Sequence, residues 1–325
     1  MKAIPMIRSL LTAALCSFAL SVSAQTFPVK PVRIITPFPA GSGPDTVLRV
    51  VGEKLQKAWG QSVVVDNRPG ANGFIAIEAA KKATPDGHTL VQMDDPQMSL
   101  QPHLYKNIPY NPVRDFEPVA TLFRTYFFVV VPATSAWKNM QDLVAAAKKR
   151  PGELTYGSWF VGSPGHIGGA QLEAATGTQM VHVPFKEMSQ LFGAVANNDV
   201  GWSFGSAASA GPLYKAGKVR FMAVAAPKRV AGYESVPTIV EAGGPADFEV
   251  KAWVALFAPA GTPQVVIARI QQDVANALTE PDVRERLAAI GFEPFTIPPA
   301  EMRKLMEADA RRYGDIVKRA KISIE

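Results

Sequence analysis

Short apolar runs alternate with amphipathic stretches along the chain, the pattern of parallel α/β architecture. Val32–Pro37 (VRIITP) predicts a buried strand, followed by a Pro/Gly/Ser loop, PFPAGSGPD, over 37–45. Val47, Leu48, Val51 and Leu55 then mark one helical face, which Gly60 stops. Ser62–Asp66 predicts the next strand, Asn67–Gly73 a turn feeding a short helix, and Thr89–Met93 a third strand behind the turn Pro85-Asp86-Gly87. Residues 126–132 (YFFVVVP) read as a strand before a helix over about 140–150. The basic end of that helix, Lys148-Lys149-Arg150, complements the negative end of its dipole. Leu154–Ser158 leads into a second Gly/Ser-rich loop running through Gly169 and a helix to about Ala175. Met180–Phe185 then predicts a strand, 188–197 a helix, and 200–204 and 219–225 further strands. After Gly261 the tail is helical. Thr262 is the expected cap, Pro263 the start, and Val266, Ile267, Ile270, Val274 and Leu278 the core-facing stripe, with helices over 281–290 and 299–318 beyond.

One loose repetition stands out. Strand, Gly/Ser loop and helix occur near 32–59 and again near 154–175. Apolar runs at 125–132 and 250–258 have the form of two crossings between lobes. That predicts a hinged clamp, with lobe one over 27–126 and 252–325 and lobe two over 127–251.

Composition narrows the class. The 325 residues are 47% hydrophobic and 19% charged, which excludes a disordered tail, a fibre and a disulfide-stapled miniature. The apolar stretch Leu10–Val22 is shorter than the roughly 20 residues of a membrane helix. With Lys2 and Arg8 before it and Val22-Ser23-Ala24 behind, it reads as a signal peptide over 1–24. The alternative is a buried N-terminal helix. Leu15 before Cys16 is bulky where lipoprotein processing wants a small residue. Removing 1–24 takes away the single cysteine, and with it any thiol nucleophile or thiolate metal site. Net charge falls from +6 to +4 as Lys2 and Arg8 go, and no run of five Lys/Arg exists, which argues against nucleic acid as a partner.

Enzyme motifs are thin. Gly41-Ser42-Gly43 lacks the third glycine of a dinucleotide fingerprint, since position 46 is Thr. Gly162-Ser163-Pro164-Gly165 lacks nucleophile-elbow spacing, and the four histidines show no metal-ligand spacing. Asp94 and Asp95, adjacent at a strand end, point to opposite sides, and read more simply as a turn or helix cap after Met93. The two Gly/Ser loops carry more. A strand that stops in glycines and reopens as a helix leaves free amides at a positive dipole end. Ser42, Ser158 and Ser163 add hydroxyl donors there. One such loop alone reads as a turn; two, one per lobe, read as a pincer for a carboxylate. Phe38, Trp159, Phe160, Phe185, Trp202 and Phe204 sit nearby, as cleft walls or as core, with Trp159 the best wall. His166 is placed for a ligand carboxylate or equally for a cap or core hydrogen bond. Lys186 reads as an ordinary exposed lysine.

The segments FPVKPVRIITPFPAGSGPD (27–45), VVVDNRPGANG (63–73), ATPDGHTLVQM (83–93), LYKNIPYNPVRDFEPVA (104–120), VHVPFK (181–186), AGKVRFMAVAAPKR (216–229), VPTIVEAG (236–243) and LFAPAGTP (256–263) carry a resemblance. In order and over essentially the whole mature length, the chain resembles the Bug-type receptors of tripartite tricarboxylate transporters. The resemblance implies an α/β, two-lobed periplasmic binding protein of the Venus-flytrap kind, with a mixed or mainly parallel sheet in each lobe. It also implies a carboxylate ligand held by loops 37–45 and 157–166. The chain departs from the family pattern at Met93-Asp94-Asp95-Pro96-Gln97, at Glu187, at Gly205-Ser206 and at Trp159-Phe160. The anion grip is kept and the rest of the pocket altered.

The expected ligand-binding set is therefore Phe38, Ala40, Gly41, Ser42, Gly43, Asp45, Asp95, Ser158, Trp159, Gly162, Ser163, His166, Phe185, Gly205 and Ser206. The expectation is a periplasmic, monomeric solute receptor without cofactor, metal or catalytic residue, delivering an organic carboxylate to a membrane permease. An aromatic, terephthalate-like ligand suits the ring-rich walls; a short aliphatic dicarboxylate bound through waters beside purely structural aromatics is one alternative, and a ligand with an amine or hydroxyl, which Asp94 or Asp95 facing the pocket would prefer, is another. Two other classes stay open: a secreted hydrolase using His166 with Asp45 or Asp95, and a carboxylate sensor for a membrane kinase.

Overall fold

The computed structural model describes residues 27–320 and 322; the predicted signal segment lies outside them. Two mixed sheets form two lobes. The first contains β1 (Val32–Thr36), β2 (Val63–Asn67), β3 (Thr89–Asp94), β4 (Phe116–Tyr126), β10 (Lys251–Pro259) and β11 (Phe292–Pro294). Its order is β11-β4-β10-β3-β1-β2. β1 lies parallel between β2 and β3, while β10 runs antiparallel to β3 and β4. The second sheet has the order β7-β6-β8-β5-β9, from β5 (Phe128–Pro132), β6 (Thr155–Ser158), β7 (Val181–Pro184), β8 (Trp202–Gly205) and β9 (Val219–Val224). Here β6 is parallel to β7 and β8, and β5 is antiparallel to β8 and β9.

Helices cover the sheets. α1 (Gly43–Trp59), α8 (Gln264–Thr279) and α9 (Pro281–Ala289) bury Val47, Leu55, Ile270 and Leu287 on one face of the first sheet. α2 (Phe74–Lys81) and the start of α10 (Pro299–Ala320) bury Ile77, Met302 and Met306 on the other. A short α3 (Gln101–Leu104) follows a wide, π-helical turn (Pro96–Leu100) after β3. In the second lobe, α4 (Met140–Lys149), α5 (Pro164–Thr176), α6 (Met188–Ala196) and α7 (Ala207–Lys215) enclose a core that includes Trp202, Phe204 and Phe192.

The chain crosses between sheets beside Phe127 and again at Val250. There the Phe127 amide donates to the Val250 carbonyl at 3.0 Å, and the Val250 amide to Ala225 at 3.0 Å. A third link lies off the crossings. Tyr313 and Val317 on α10 pack with Ile167 of α5, so the C-terminal helix spans both lobes.

Three local expectations change. α5 begins at Pro164, so Gly168 and Gly169 are helical rather than part of the loop. They are glycines because the helix lies hard against its sheet: a Cβ at 169 would stand 2.1 Å from the Tyr156 ring, and one at 168 would stand 2.7 Å from Val250. Thr262 does not cap α8, since its hydroxyl donates back to the Pro259 carbonyl at 2.8 Å. The strand expected to begin near residue 125 is two strands, β4 reaching back to Phe116.

Candidate functional site

The two Gly/Ser loops share one backbone design. In loop one, Gly41 takes φ +79° and Ser42 caps α1; in loop two, Gly162 takes φ +87° and Ser163 caps α5. The Ser42 amide bonds the Pro39 carbonyl at 3.1 Å, and the Ser163 amide bonds Phe160 at 3.2 Å. Each glycine amide is held by a side chain four residues on. Gly41 N–H donates to Asp45 Oδ2 at 2.8 Å, and Gly162 N–H to His166 Nδ1 at 3.0 Å. Left-handed φ at both positions favours glycine, because a Cβ is strained there.

Between the lobes lies a cavity of about 580 Å³, in the size range of small-molecule sites. Four helix N-termini reach it: Ser42 and Gly43 of α1, Pro164 of α5, Met188 and Ser189 of α6, and Ser206, Ala208 and Ser209 of α7. The amides of Gly43, Met188, Ser189 and Ala208 have no acceptor among the described residues. First-turn amides have no partner inside their own helix, and the dipole adds positive potential, so the cavity favours an anion. Lys186 adds a cation at the rim.

The walls are aromatic. Phe38, Phe123 and Phe292 line one side, with Phe123 and Phe292 stacked at 4.3 Å between centroids. Phe127, Trp159 and Phe160 line the other, Trp159 stacked on Phe127 at 5.6 Å and Phe160 edge-on to Trp159. Phe160 stays 39% exposed, an apolar ring left facing the opening. Two acids line the cavity, Glu187 next to Lys186 in the chain and Asp94 among the rings. Asp94, at the end of β3, lines the cavity, and burial pushes its carboxyl up to about 7, against the opposing hydrogen bond from the Gln97 amide.

Of the expected set, Phe38, Gly41, Ser42, Gly43, Trp159 and Ser206 line this cavity. Ala40 is exposed at the loop tip outside it. Asp45 is only 1% exposed and accepts from Gly41, from Arg49 Nε at 2.9 Å and from Asn67 Nδ2 at 2.7 Å. Burial alone would raise its carboxyl, but those hydrogen bonds outweigh it and hold the group below its ordinary value. Ser163 and Gly162 serve the loop backbone. Phe185 packs on the second lobe's core, and Gly205 is a packing glycine, since a Cβ there would meet the Phe192 ring at 2.7 Å. Asp95 points away from the cavity to the Tyr313 hydroxyl at 2.5 Å. Its burial and the charges of Asp309 and Asp94 push it well above the carboxylate range.

His166 opens on a different cavity, of about 890 Å³, behind loop two. It stacks on His182 at 3.8 Å and 9°. Because His166 Nδ1 accepts from Gly162, its proton is assigned to Nε2. Ser158 donates to the Phe160 carbonyl, so at 2.7 Å it accepts from His182 Nε2–H. Burial lowers His166 to about 4; burial together with His166 lowers His182 to about 3. Both rings are neutral props of loop two. His166 bonds neither Asp45 nor Asp95, the pairs a hydrolase reading needs.

Several lining residues carry no signal in the sequence taken locally. Phe292, Phe123 and Val254 arrive from distant segments, and α6 contributes through where β7 ends. Asp94 and Asp95 part company not by strand alternation but because β3 ends at Asp94 and Asp95 turns into helical backbone.

Two lobes joined by paired crossings, with an anion-favouring cavity between them, define a two-lobed solute-binding protein. Residues 47–322 match the model of the tripartite tricarboxylate transporter family receptor, and the chain belongs to that family. Protein BugT of Bordetella pertussis is 29% identical over 310 residues, covering 94% of each chain. An R. palustris protein solved with adipate superposes with a TM-score of 0.83 at 31% identity, over 91% of this chain and 99% of that one. MatC from Rhodopseudomonas palustris, with bound malate, gives 0.77 at 29% identity, over 90% and 100%. Among the described residues, no helix is long and apolar enough to cross a membrane.

Proposed function

We propose that this chain is a periplasmic receptor that binds an organic carboxylate with an aromatic ring in the interlobe cavity and presents it to a membrane permease. The observation that carries the reading is the convergence of four helix N-termini, two with glycine–serine loops, on a cavity walled by aromatic rings. Backbone amides grip the carboxylate, and the rings of Phe38, Trp159 and Phe160 flank its body. The relatives bound to adipate and malate support the carboxylate. The ring rests on the walls, where an offset or edge-on aromatic pair adds about 0.5–1.5 kcal/mol beyond burial. The work is binding, not catalysis. The lobes, 27–126 with 252–325 and 127–251, close about the crossings beside Phe127 and Val250. A ligand that touches both shifts the closed population by its differential affinity, which gives a permease a shape to read.

Calorimetry tests this with benzoate, terephthalate, adipate, malate and succinate titrated into wild type and Trp159→Ala. Aromatic acids should bind tightest and lose roughly tenfold in the variant, about 1.4 kcal/mol. Tight aliphatic binding that ignores the tryptophan removes the ring and keeps the receptor. No carboxylate binding at all overturns the receptor.

A further inference from the structure

Asp94 and Asp95 are neighbours with opposite surroundings. Asp95 is spent on Tyr313 inside the fold. Asp94 is tied to Gln97 twice: its amide donates to Gln97 Oε1 at 3.1 Å, and its Oδ1 accepts from the Gln97 amide at 3.1 Å. That clamp fixes the side chain and leaves Oδ2 without a protein partner among the described residues. Oδ2 is not among the sealed, unsatisfied polar atoms of the described residues, so its opening is the cavity that Asp94 lines. Asp94 forms no ion pair among the described residues, whereas Asp45, Asp66, Asp86 and Asp115 each do. Its neighbours on the cavity wall are apolar: Val254, its register partner on β10, and Phe123 beyond it on β4.

A carboxylate oxygen pinned in an apolar wall, open only toward the ligand, is satisfied by a donor and penalised by anything else. Resting on the receptor reading above, we infer that Asp94 is a specificity residue: it selects, among carboxylates, those that also carry a hydrogen-bond donor, a hydroxyl or an ammonium. The helix N-termini take the ligand's carboxylate, and Asp94 Oδ2 takes its donor. A ligand without a donor leaves Oδ2 desolvated and unpaired. A second carboxylate there meets a like charge.

The test uses matched series that differ only in the donor: benzoate, 4-hydroxybenzoate and 4-(aminomethyl)benzoate, and butyrate, 4-hydroxybutyrate and 4-aminobutyrate. Each is titrated at pH 8 into wild type, Asp94→Asn and Asp94→Ala. Two series keep the outcome independent of the ring. In wild type a donor-bearing member should bind roughly ten- to hundredfold tighter than its parent, the worth of a hydrogen bond to a charged acceptor. Asp94→Ala should bring that ratio to about one. Asp94→Asn keeps an acceptor oxygen without the charge, so a hydroxyl should retain part of its advantage and an ammonium should lose its own. The ratio is taken within one protein, so a partly unfolded variant cancels from it. Should Asp94→Ala not fold, the loss of the ammonium ratio in Asp94→Asn decides. A ratio that survives both substitutions overturns the inference and leaves the receptor reading intact. Terephthalate or adipate binding more tightly than every donor-bearing ligand, and weakened by Asp94→Ala, also overturns it, because the acid then serves protonated against a second carboxylate. Absence of binding by every carboxylate overturns both readings together.

Discussion

Loop one and loop two hold the same backbone with different chemistry. Each has a glycine at positive φ, a capping serine and a side chain four residues on that accepts the glycine amide. In loop one that side chain is a carboxylate, braced by Arg49 and Asn67. In loop two it is a neutral imidazole, braced by stacking on His182. The shared requirement is an acceptor for one amide, placed one helical turn away. What differs is its cost. A carboxylate gives a strong, charge-assisted bond but must itself be compensated, and three donors converge on Asp45 to do so. An imidazole gives a weaker bond and, being neutral, needs no counter-charge. The donors thereby committed to holding the loops leave the free first-turn amides for a ligand.

The largest expected effect comes from removing the charged anchor. Asp45→Ala strands the Gly41 amide and the Asn67 amide near the loop, and should cost roughly 2–3 kcal/mol in chemical denaturation, with loss of carboxylate binding. Arg49 is half exposed and re-solvates, which limits the cost. Asp45→Asn keeps an acceptor and should recover part of both. His166→Ala is the milder break: one neutral hydrogen bond and one stacking partner are lost, roughly 1–2 kcal/mol. Equal costs, or the reverse order, would show that the two anchors are not the counterparts their geometry makes them.

How much of this was legible in sequence follows from the range of each signal. Gly41-Ser42-Gly43-Pro44 and Gly162-Ser163-Pro164 announce a tight turn and a capped helix by local chemistry alone, so both loops were readable. The roles of Asp45 and Ser158 were not, and His166 stayed open between a ligand carboxylate and a cap or core hydrogen bond. A polar side chain in such a loop reads as a donor to ligand until its partners are known, and these partners include Asn67, Phe160 and His182 from elsewhere in the chain or loop. Asp94 and Asp95 posed a question of where the strand stops. β3 ends at Asp94 and Asp95 already has helical backbone, so which of the two faces the cavity depends on that break and on the pairing with β10, more than 150 residues later. β4 was hidden before residue 125 because Pro118 and Arg124 interrupt its apolar pattern, although both lie within a strand that β10 and β11 complete.

The smallest net effect is with pH, and it is small because two regions oppose each other. The His166 and His182 pKa values are depressed from 6.5 to about 4 and about 3, so their contribution is complete above 6.5 and is lost as pH falls toward 4. Asp45 is also depressed, but from 3.8, so loop one keeps its anchor throughout that window. Asp94 runs the other way: raised from 3.8 to about 7, its contribution is complete below 3.8 and lost as pH rises through 7. Raised values at Asp95 and Glu173 act in the same direction as Asp94. Between pH 6.5 and 5, acid therefore weakens loop two while it relieves the buried carboxyls, and wild-type stability should change little. Substitution should separate the two. In His166→Gln/His182→Gln stability should rise on acidification over this window, and in Asp94→Asn it should fall. Slopes are compared, not absolute stabilities, so the cost of each substitution drops out. Urea unfolding at pH 6.5, 5.75 and 5 gives the slopes. Parallel lines for the two variants would mean that neither the histidine stack nor Asp94 titrates as its burial requires, and that the two loops do not differ in their response to acid.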